Sequence, residues 1–492
     1  MELTTLLFTI FTGISLFIYY FIHRRLNYWK VRNVPHIEPE FFHGNARGVG
    51  KTISPGKFFK DMYFKLKNKG PVVGVYMYVE PMAIIMDLDL VKTILVKEFN
   101  TFPNRGLYHN EKDDPTSANL ASIEDEQWKI LRNKISPTFS SGKIKNMFPI
   151  VGEVADKMIE RIEIDSKEKG SIEVKDILAR FTTDVIGRVG FGIECNSLDD
   201  NTTKFYQIGL KAFSNINFFT RTLTSSYPDL ARKLHIKTSD PEVAGFYKDI
   251  VEQTIKYRID NNIQSNDFMS LLMKMMKDNS LTFNEVWSQS VVFFLAGYET
   301  SSTALNYCLY EMSQRKDICD KARESVKKAL EKHNGELNYD AVNDMQYIEQ
   351  CVNEALRKHP PANATRRIPR EDFQVPNSKI VIEKGVHVII PVWGIHFDPE
   401  IYPEPETYNP DRFTPEEVAK RHNMSFLPFG EGPRVCIGER FAMVEIKLAL
   451  AKILMNFEFE LDYSKTPVPM PYETKRLILT AAKGVFIKFR KI

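Results

Sequence analysis

The sequence predicts a mainly α-helical fold with small β-sheets, preceded by one N-terminal transmembrane helix. Three observations carry that reading. Across most of residues 120–360, apolar side chains recur every three or four positions, the spacing of a helix with one buried face. Stretches rich in β-branched and aromatic residues are short and lie outside this region, at 72–87 and 477–489. Residues 3–22 carry no charge and are rich in Leu, Ile, Phe and Tyr.

A helix over those 20 residues would be about 30 Å long, the hydrocarbon thickness of a bilayer. His23, Arg24, Arg25, Lys30 and Arg32 follow it and only Glu2 precedes it, so the positive-inside rule places the rest of the chain on the cytoplasmic side. A cleaved signal peptide would carry its charge ahead of the apolar run and end on small residues, and neither feature is present. Residues 1–25 thus read as an anchor and 26–49 as a linker stiffened by Pro35 and Pro39. With no further apolar span, repeat or low-complexity stretch, 50–492 reads as one domain. Within it, 72–87 reads as a hairpin turning at Glu80 and Pro81, and 88–98 as a helix. Six prolines between 391 and 415 indicate a long ordered coil. The C-terminal stretch 477–489 reads as a second hairpin, turning at Lys483 and Gly484.

Lys and Arg number 66 against 63 Asp and Glu, a formal net charge of +3. That balance excludes an acidic solvating chain and a strongly basic nucleic-acid binder. The five cysteines, Cys195, Cys308, Cys319, Cys351 and Cys436, form no C-x-x-C pair and no even framework, which points to a reducing compartment.

The sharpest local signal surrounds Cys436. Gly430, Gly432 and Pro433 favour a tight loop with exposed backbone, and helical spacing resumes at 439–454. Cys436 would then precede a helix N-terminus, where the dipole and free N–H groups favour a thiolate. A soft anionic sulfur on a rigid loop suits iron. A lone cysteine is more often a small buried apolar side chain, but that reading leaves the Phe, the glycines and the Arg around it unexplained.

Phe429, Gly432, Arg434, Cys436 and Gly438 spell F-x-x-G-x-R-x-C-x-G, and the segment resembles the haem-binding signature of the cytochrome P-450 monooxygenases. The resemblance implies the cytochrome P-450 fold and haem b, with Cys436 as its thiolate ligand, Phe429 beside the sulfur, Arg434 on a propionate and Gly438 leaving room for the flat ring. Other motifs follow in family order. Glu354 and Arg357 form E-x-x-R in a helical stretch at 345–357, a spacing that by itself equally describes an exposed ion pair. With Arg412 of Pro410-Asp411-Arg412-Phe413 it resembles the family's buried structural triad, although Asp411 stands where the family more often has Glu.

Ala296-Gly297-Tyr298-Glu299-Thr300-Ser301 lies within a long helical stretch, 283–314. A buried helix whose polar groups are satisfied locally would account for it. The resemblance instead makes Glu299 and Thr300 an acid–alcohol pair, with Ala296 and Gly297 leaving space for dioxygen. Thr300 would hydrogen-bond the oxygen and Glu299 would help to relay protons. Trp128 and Arg132, four apart on a helix from about Glu124, match propionate partners, as do Arg105 and Arg367; Arg366 competes with the latter. His396 fits a family pattern as a structural residue. The runs from Phe181 and Phe191 resemble the insect xenobiotic-metabolising branch.

These features imply a membrane-anchored monooxygenase of the endoplasmic reticulum acting on a lipophilic small molecule. No G-x-G-x-x-G or P-loop is present, so NADPH would act through a separate flavoprotein reductase, with cytochrome b5 as a further candidate donor. Lys129, Lys134, Lys143 and Arg440 are candidates for the docking face. The substrate pocket would be lined by 105–123, by 205–223 with Phe213, Phe218 and Phe219, and by Leu477 and Ile478. The alternatives are a same-fold peroxide isomerase or dehydratase, which needs no electrons, and a non-catalytic haem-thiolate protein. A purely structural membrane protein would leave the cysteine loop without a purpose.

Overall fold

The uncharged N-terminal run forms a helix that continues past residue 22 through its basic residues (α1, Glu2–Leu26). It is long and apolar enough to cross a bilayer. Side chains 3–21 are exposed, whereas Ile22 and Leu26 are buried against the first sheet. The computed structural model describes residues 2–212, 218–263, 265 and 267–492.

The segment read as a linker is packed onto the domain. Trp29 is fully buried; its indole N–H donates to Val75 O at 3.2 Å, and its backbone N–H donates to Tyr76 Oη at 3.0 Å. The ring lies on Gly74, where a Cβ would come within 2.3 Å of it. Arg25 pairs with Glu80, and Arg32 with Glu383, tying the end of α1 and the residues after it to the same surface.

Six longer helices position the site: α2 (Asp125–Ile135), α3 (Ser141–Lys169), α4 (Val174–Ile186), α5 (Phe283–Met312), α6 (Gln346–Lys358) and α7 (Glu439–Asn456). Helix α5 starts in a capping box: Glu285 N–H donates to Thr282 Oγ1 at 3.2 Å, and Thr282 N–H donates to Glu285 Oε2 at 2.7 Å. It runs through the core with α4 packed along it, and every residue of α4 from Ile177 to Ile186 is buried.

The strands of the two larger sheets are β1 (Val72–Met77), β2 (Glu80–Ile85), β3 (Ile172–Glu173), β4 (Thr365–Arg367), β5 (His387–Ile390), β6 (Phe457–Leu461) and β7 (Phe486–Lys491). One sheet has the order β1-β2-β5-β4 and another β3-β7-β6. The hairpin turns at Tyr78 and Val79, not at Glu80 and Pro81 as the sequence suggested. Tyr78 takes the left-handed φ of 56° that a tight turn requires. Pro81 lies in β2 opposite Tyr76, just ahead of the stretch from Met82 to Ile84 that pairs with β5, so its missing N–H removes no bond to that strand.

The C-terminal hairpin is also corrected. Strand β7 finds its partners far away in sequence, in β6 and β3, because Ile487 and Phe489 pack into the core beside Phe457. The residues before it fold back locally: Glu473 N–H donates to Thr480 O and Ala482 N–H to Pro471 O, both at 2.8 Å. The proline-rich coil at 391–415 is interrupted by a one-turn helix, Val392–His396, and a 3₁₀ turn, Pro410–Phe413. Each begins beside a proline, where the fixed φ suits a first turn.

Candidate active site

Cys436 lies three residues before α7, on a loop closed by its own N–H donating to Phe429 O at 3.0 Å. Gly432 has φ +76°, and a Cβ there would sit 2.0 Å from Leu95 O, so only glycine allows the loop to approach that carbonyl. At Gly438 an added Cβ would meet nothing nearer than Phe139 at 4.0 Å, which leaves the space beside the sulfur open. Cys195, Cys308, Cys319 and Cys351 are buried, whereas Cys436 keeps accessible surface although protein surrounds it: it faces an internal opening. Burial pushes its thiol above the ordinary range, against the N–H of Gly438 and the charges of Arg105 and Arg132, which favour the thiolate. A metal ion at the sulfur would add a further positive charge that favours the thiolate.

Guanidinium groups converge on the same opening. Arg105 and Arg132 are close enough for Cys436 to act on their charge. Arg434 is 2% exposed and its Nε and Nη1 have no hydrogen-bond partner; Arg367 is 1% exposed with Nε unpartnered. Burial, and then the charge of Arg105, push both of these guanidiniums down to about 9. Trp128 offers its ring face 4.3 Å from the Arg434 guanidinium. Glu124 and Asp125 act on Arg434 only from beyond ion-pair distance. Arg366, the competitor of Arg367, turns to the carbonyls of Arg105 and Gly106. Buried like charges without a carboxylate among them are costly, and the arrangement calls for an anion.

The middle of α5 carries a second accessible patch. Ala296 and Thr300, one turn apart, are accessible in a stretch whose neighbours Tyr298, Glu299 and Ser301 are buried. The Thr300 hydroxyl donates to Ala296 O at 2.6 Å. Glu299 turns elsewhere: its Oε1 lies 3.4 Å from Lys175 Nζ and 3.5 Å from Arg476 Nη1. The two residues read as a pair thus point about 100° apart, Thr300 to accessible surface and Glu299 into packed cations. Neither Lys175 nor Arg476 was foreseen, because each stands in a polar stretch that looks like ordinary surface.

Away from the opening, Glu354 and Arg357 are both fully buried and joined by two bonds, Nε to Oε2 at 2.7 Å and Nη2 to Oε1 at 2.9 Å. Arg412 Nε reaches Glu354 Oε1 at 3.4 Å. His396 donates from Nδ1 to Arg357 O and accepts Leu427 N–H at Nε2. Burial, then Arg357, hold its imidazole down to about 3, so it is neutral. Of the predicted pocket walls, 105–123 is pinned to α5 by Ser288 Oγ donating to Ala118 O and Leu120 N–H donating to Gln289 Oε1. Phe213 lies outside the described residues.

The chain matches the cytochrome P-450 family model over residues 35–489 and belongs to that family, the haem-thiolate monooxygenases. Its relatives include a probable cytochrome P-450 of Drosophila melanogaster, 42% identical over 492 residues and 98% of each chain. Cytochrome P-450 6a8 of the same species is 39% identical over 511 residues and the whole of both chains. Cytochrome P-450 6A1 of Musca domestica is 39% identical over 96% of this chain and 95% of its own. The residues present fit the family's haem. The orphaned nitrogens of Arg434 and Arg367 await a dianion such as its two propionates, and Cys436 keeps accessible surface for a ligand.

Proposed function

We propose that this chain is a membrane-anchored monooxygenase of the endoplasmic reticulum, its catalytic part on the cytoplasmic side, which inserts one atom of dioxygen into a lipophilic xenobiotic or endogenous lipid. Haem b with a thiolate ligand supplies the binding and activation of dioxygen. The observation that supports the reading is an accessible Cys436 under the charge of Arg105 and Arg132, two residues after the buried Arg434 with its unpartnered Nε and Nη1.

In this reading Cys436 is the metal ligand, flanked by Phe429 and Gly438. Arg105, Trp128, Arg132, Arg367 and Arg434 would hold the propionates, and Ala296 would leave space for dioxygen. Thr300, whose hydroxyl here donates to Ala296 O, would offer that hydroxyl to dioxygen, and Glu299 would provide protons that an apolar cavity cannot deliver. Glu354, Arg357 and Arg412 lock the proline-rich coil to the core. Electrons come from NADPH through a flavoprotein reductase, with cytochrome b5 as a further donor. Lys129, Lys143 and Arg440 are exposed and suit docking, whereas Lys134 is tied to Ser280 O at 2.7 Å. A peroxide isomerase would have no use for Glu299 held beside two cations.

Thr300→Ala tests the relay. NADPH oxidation should continue while product per NADPH falls severalfold and peroxide release rises, with haem content unchanged. Parental coupling in this variant would defeat the assignment of Thr300.

A further inference from the structure

The charges of Arg105 and Arg434 act on Arg367, and those of Arg105 and Arg132 act on Arg434, so these converging cations need a frame that holds them together. Three stretches of chain bring them in: residues 104–106, β4, and α2 with the residues just before it. Asn104 is where the three meet. Its backbone O accepts Ile368 N–H at 2.9 Å, one residue past Arg367. Arg366 Nε donates to Arg105 O at 2.8 Å, and a Cβ added at Gly106 would lie 2.0 Å from Ile368 Cδ1, so 104–106 is clamped against the end of β4. The Asn104 side chain makes the link to α2. Its Nδ2 donates to Asp125 Oδ1 at 3.0 Å, and its Oδ1 accepts Asp125 N–H at 2.9 Å.

Asp125 opens α2 with a left-handed φ of 50°, a conformation that costs any residue with a side chain. Glu124 before it makes no side-chain cap, and the acceptor for the Asp125 N–H comes instead from Asn104, 21 positions back. Arg370 lies 4.0 Å from Asp125 Oδ1 with both side chains 53% exposed, a surface pair that adds little. Two residues before Asp125, Ile123 O accepts Arg434 Nη2 at 2.9 Å, and Arg105 Nη2 donates to Arg434 O, also at 2.9 Å. A closed ring results, running from Asn104 through Asp125, Ile123 and Arg434 to Arg105, the neighbour of Asn104.

We propose that Asn104 and Asp125 are positioning residues for the haem propionates: their paired side chains lock the strained start of α2 onto the Arg105 segment and so set Arg105 and Arg434 against Trp128 and Arg132. The inference rests on the reading of those four as propionate partners given above. Asn104 and Asp125 act through them, and the two hydrogen bonds rather than the Asp125 charge do the positioning.

Charge and geometry are separable by substitution. Asn104→Asp removes the amide donor and sets a second carboxylate against Asp125. Asp125→Asn keeps an acceptor oxygen and its backbone N–H, so both bonds survive without the charge. Asn104→Asp combined with Asp125→Asn restores both bonds with donor and charge exchanged. All are made in the full-length protein loaded with haem b. The readouts are the rate of haem transfer to excess apomyoglobin and the propionate bending modes in the resonance Raman spectrum. Asn104→Asp should release haem on the order of tenfold faster, the equivalent of one hydrogen bond to a charged group. Its propionate modes should shift while its reduced carbon monoxide complex keeps the thiolate band. Asp125→Asn and the double variant should match the parent in both readouts. If Asn104→Asp alone does not fold, the double variant must still fold and hold haem as the parent does. A double variant no better than Asn104→Asp would overturn the proposal. So would parental haem transfer and propionate modes in Asn104→Asp, with nothing changed but a lower unfolding midpoint of the haem-free chain. If Arg105→Ala and Arg434→Ala shift the propionate modes while Asn104→Asp does not, the clasp alone is wrong; if those two leave the modes unmoved, the propionate reading falls and takes the clasp with it.

Discussion

In Cys436→Ser, the reduced carbon monoxide complex is expected to lose the red-shifted Soret band of thiolate ligation, and NADPH-driven turnover is expected to fall below detection. The substitution changes one atom on a loop whose shape does not depend on it. The loop is closed by the Cys436 N–H on Phe429 O and by the approach of Gly432 to Leu95 O, and both are backbone features. A serine hydroxyl retains the Gly438 N–H and the charges of Arg105 and Arg132, but its proton is far harder to remove, and as an oxygen donor it is a poorer match for soft ligation. No other described cysteine can substitute, since Cys195, Cys308, Cys319 and Cys351 are buried with their thiols pushed up by desolvation. His396 cannot substitute either, as both ring nitrogens are committed to Arg357 O and Leu427 N–H. Absorption spectroscopy of the reduced, carbon monoxide-treated protein reads the result directly. A variant that kept the shifted band would refute ligation by Cys436. Because thiol and hydroxyl are close in volume, the unfolding midpoint of the protein without haem should move little, which separates lost ligation from lost folding.

The ease of reading this chain varies with how local each signal is. The loop around Cys436 was legible because glycine, proline and arginine at fixed offsets are demanded by backbone geometry and charge within a few residues. The helix of Thr300 was legible as a helix, but not the opposition of Thr300 and Glu299: adjacent residues on a helix point about 100° apart, and only tertiary packing decides which one meets the opening. Lys175 and Arg476 gave no sequence signal at all, since a lysine at the start of a helix looks like surface until another helix covers it. The misplaced turn had a similar cause. Proline at 81 looked like a turn residue because its N–H is missing, whereas the sheet simply begins its second pairing one residue later. The C-terminal hairpin failed because the partners of β7 lie about 30 residues back in β6 and over 300 back in β3, a separation that periodicity cannot bridge.

The triad gives the second large effect. Arg357→Ala should destabilise the protein by about 3–5 kcal/mol, the range for breaking a buried ion pair from one side, and should leave little haem bound. Glu354 would then sit fully buried with only the 3.4 Å contact to Arg412 and the Asn409 N–H at 3.0 Å to support its charge. The loss extends beyond the pair, because Arg357 also donates to His396 O and Pro405 O, each at 2.8 Å. Those carbonyls belong to the proline-rich coil. The coil leads directly to Leu427, whose N–H docks on His396 two residues before Phe429, so slack at Arg357 reaches the cysteine loop. Arg357→Lys should recover little, since a point charge cannot span both carboxylate oxygens and two carbonyls. Glu354→Ala should be comparably severe, and the double replacement should cost clearly less than the sum of the two, as expected of residues that act as one unit. Thermal unfolding of the purified chains and haem bound per polypeptide measure the two consequences. A stable Arg357→Ala protein with full haem content would show that the coil is held by something other than this pair.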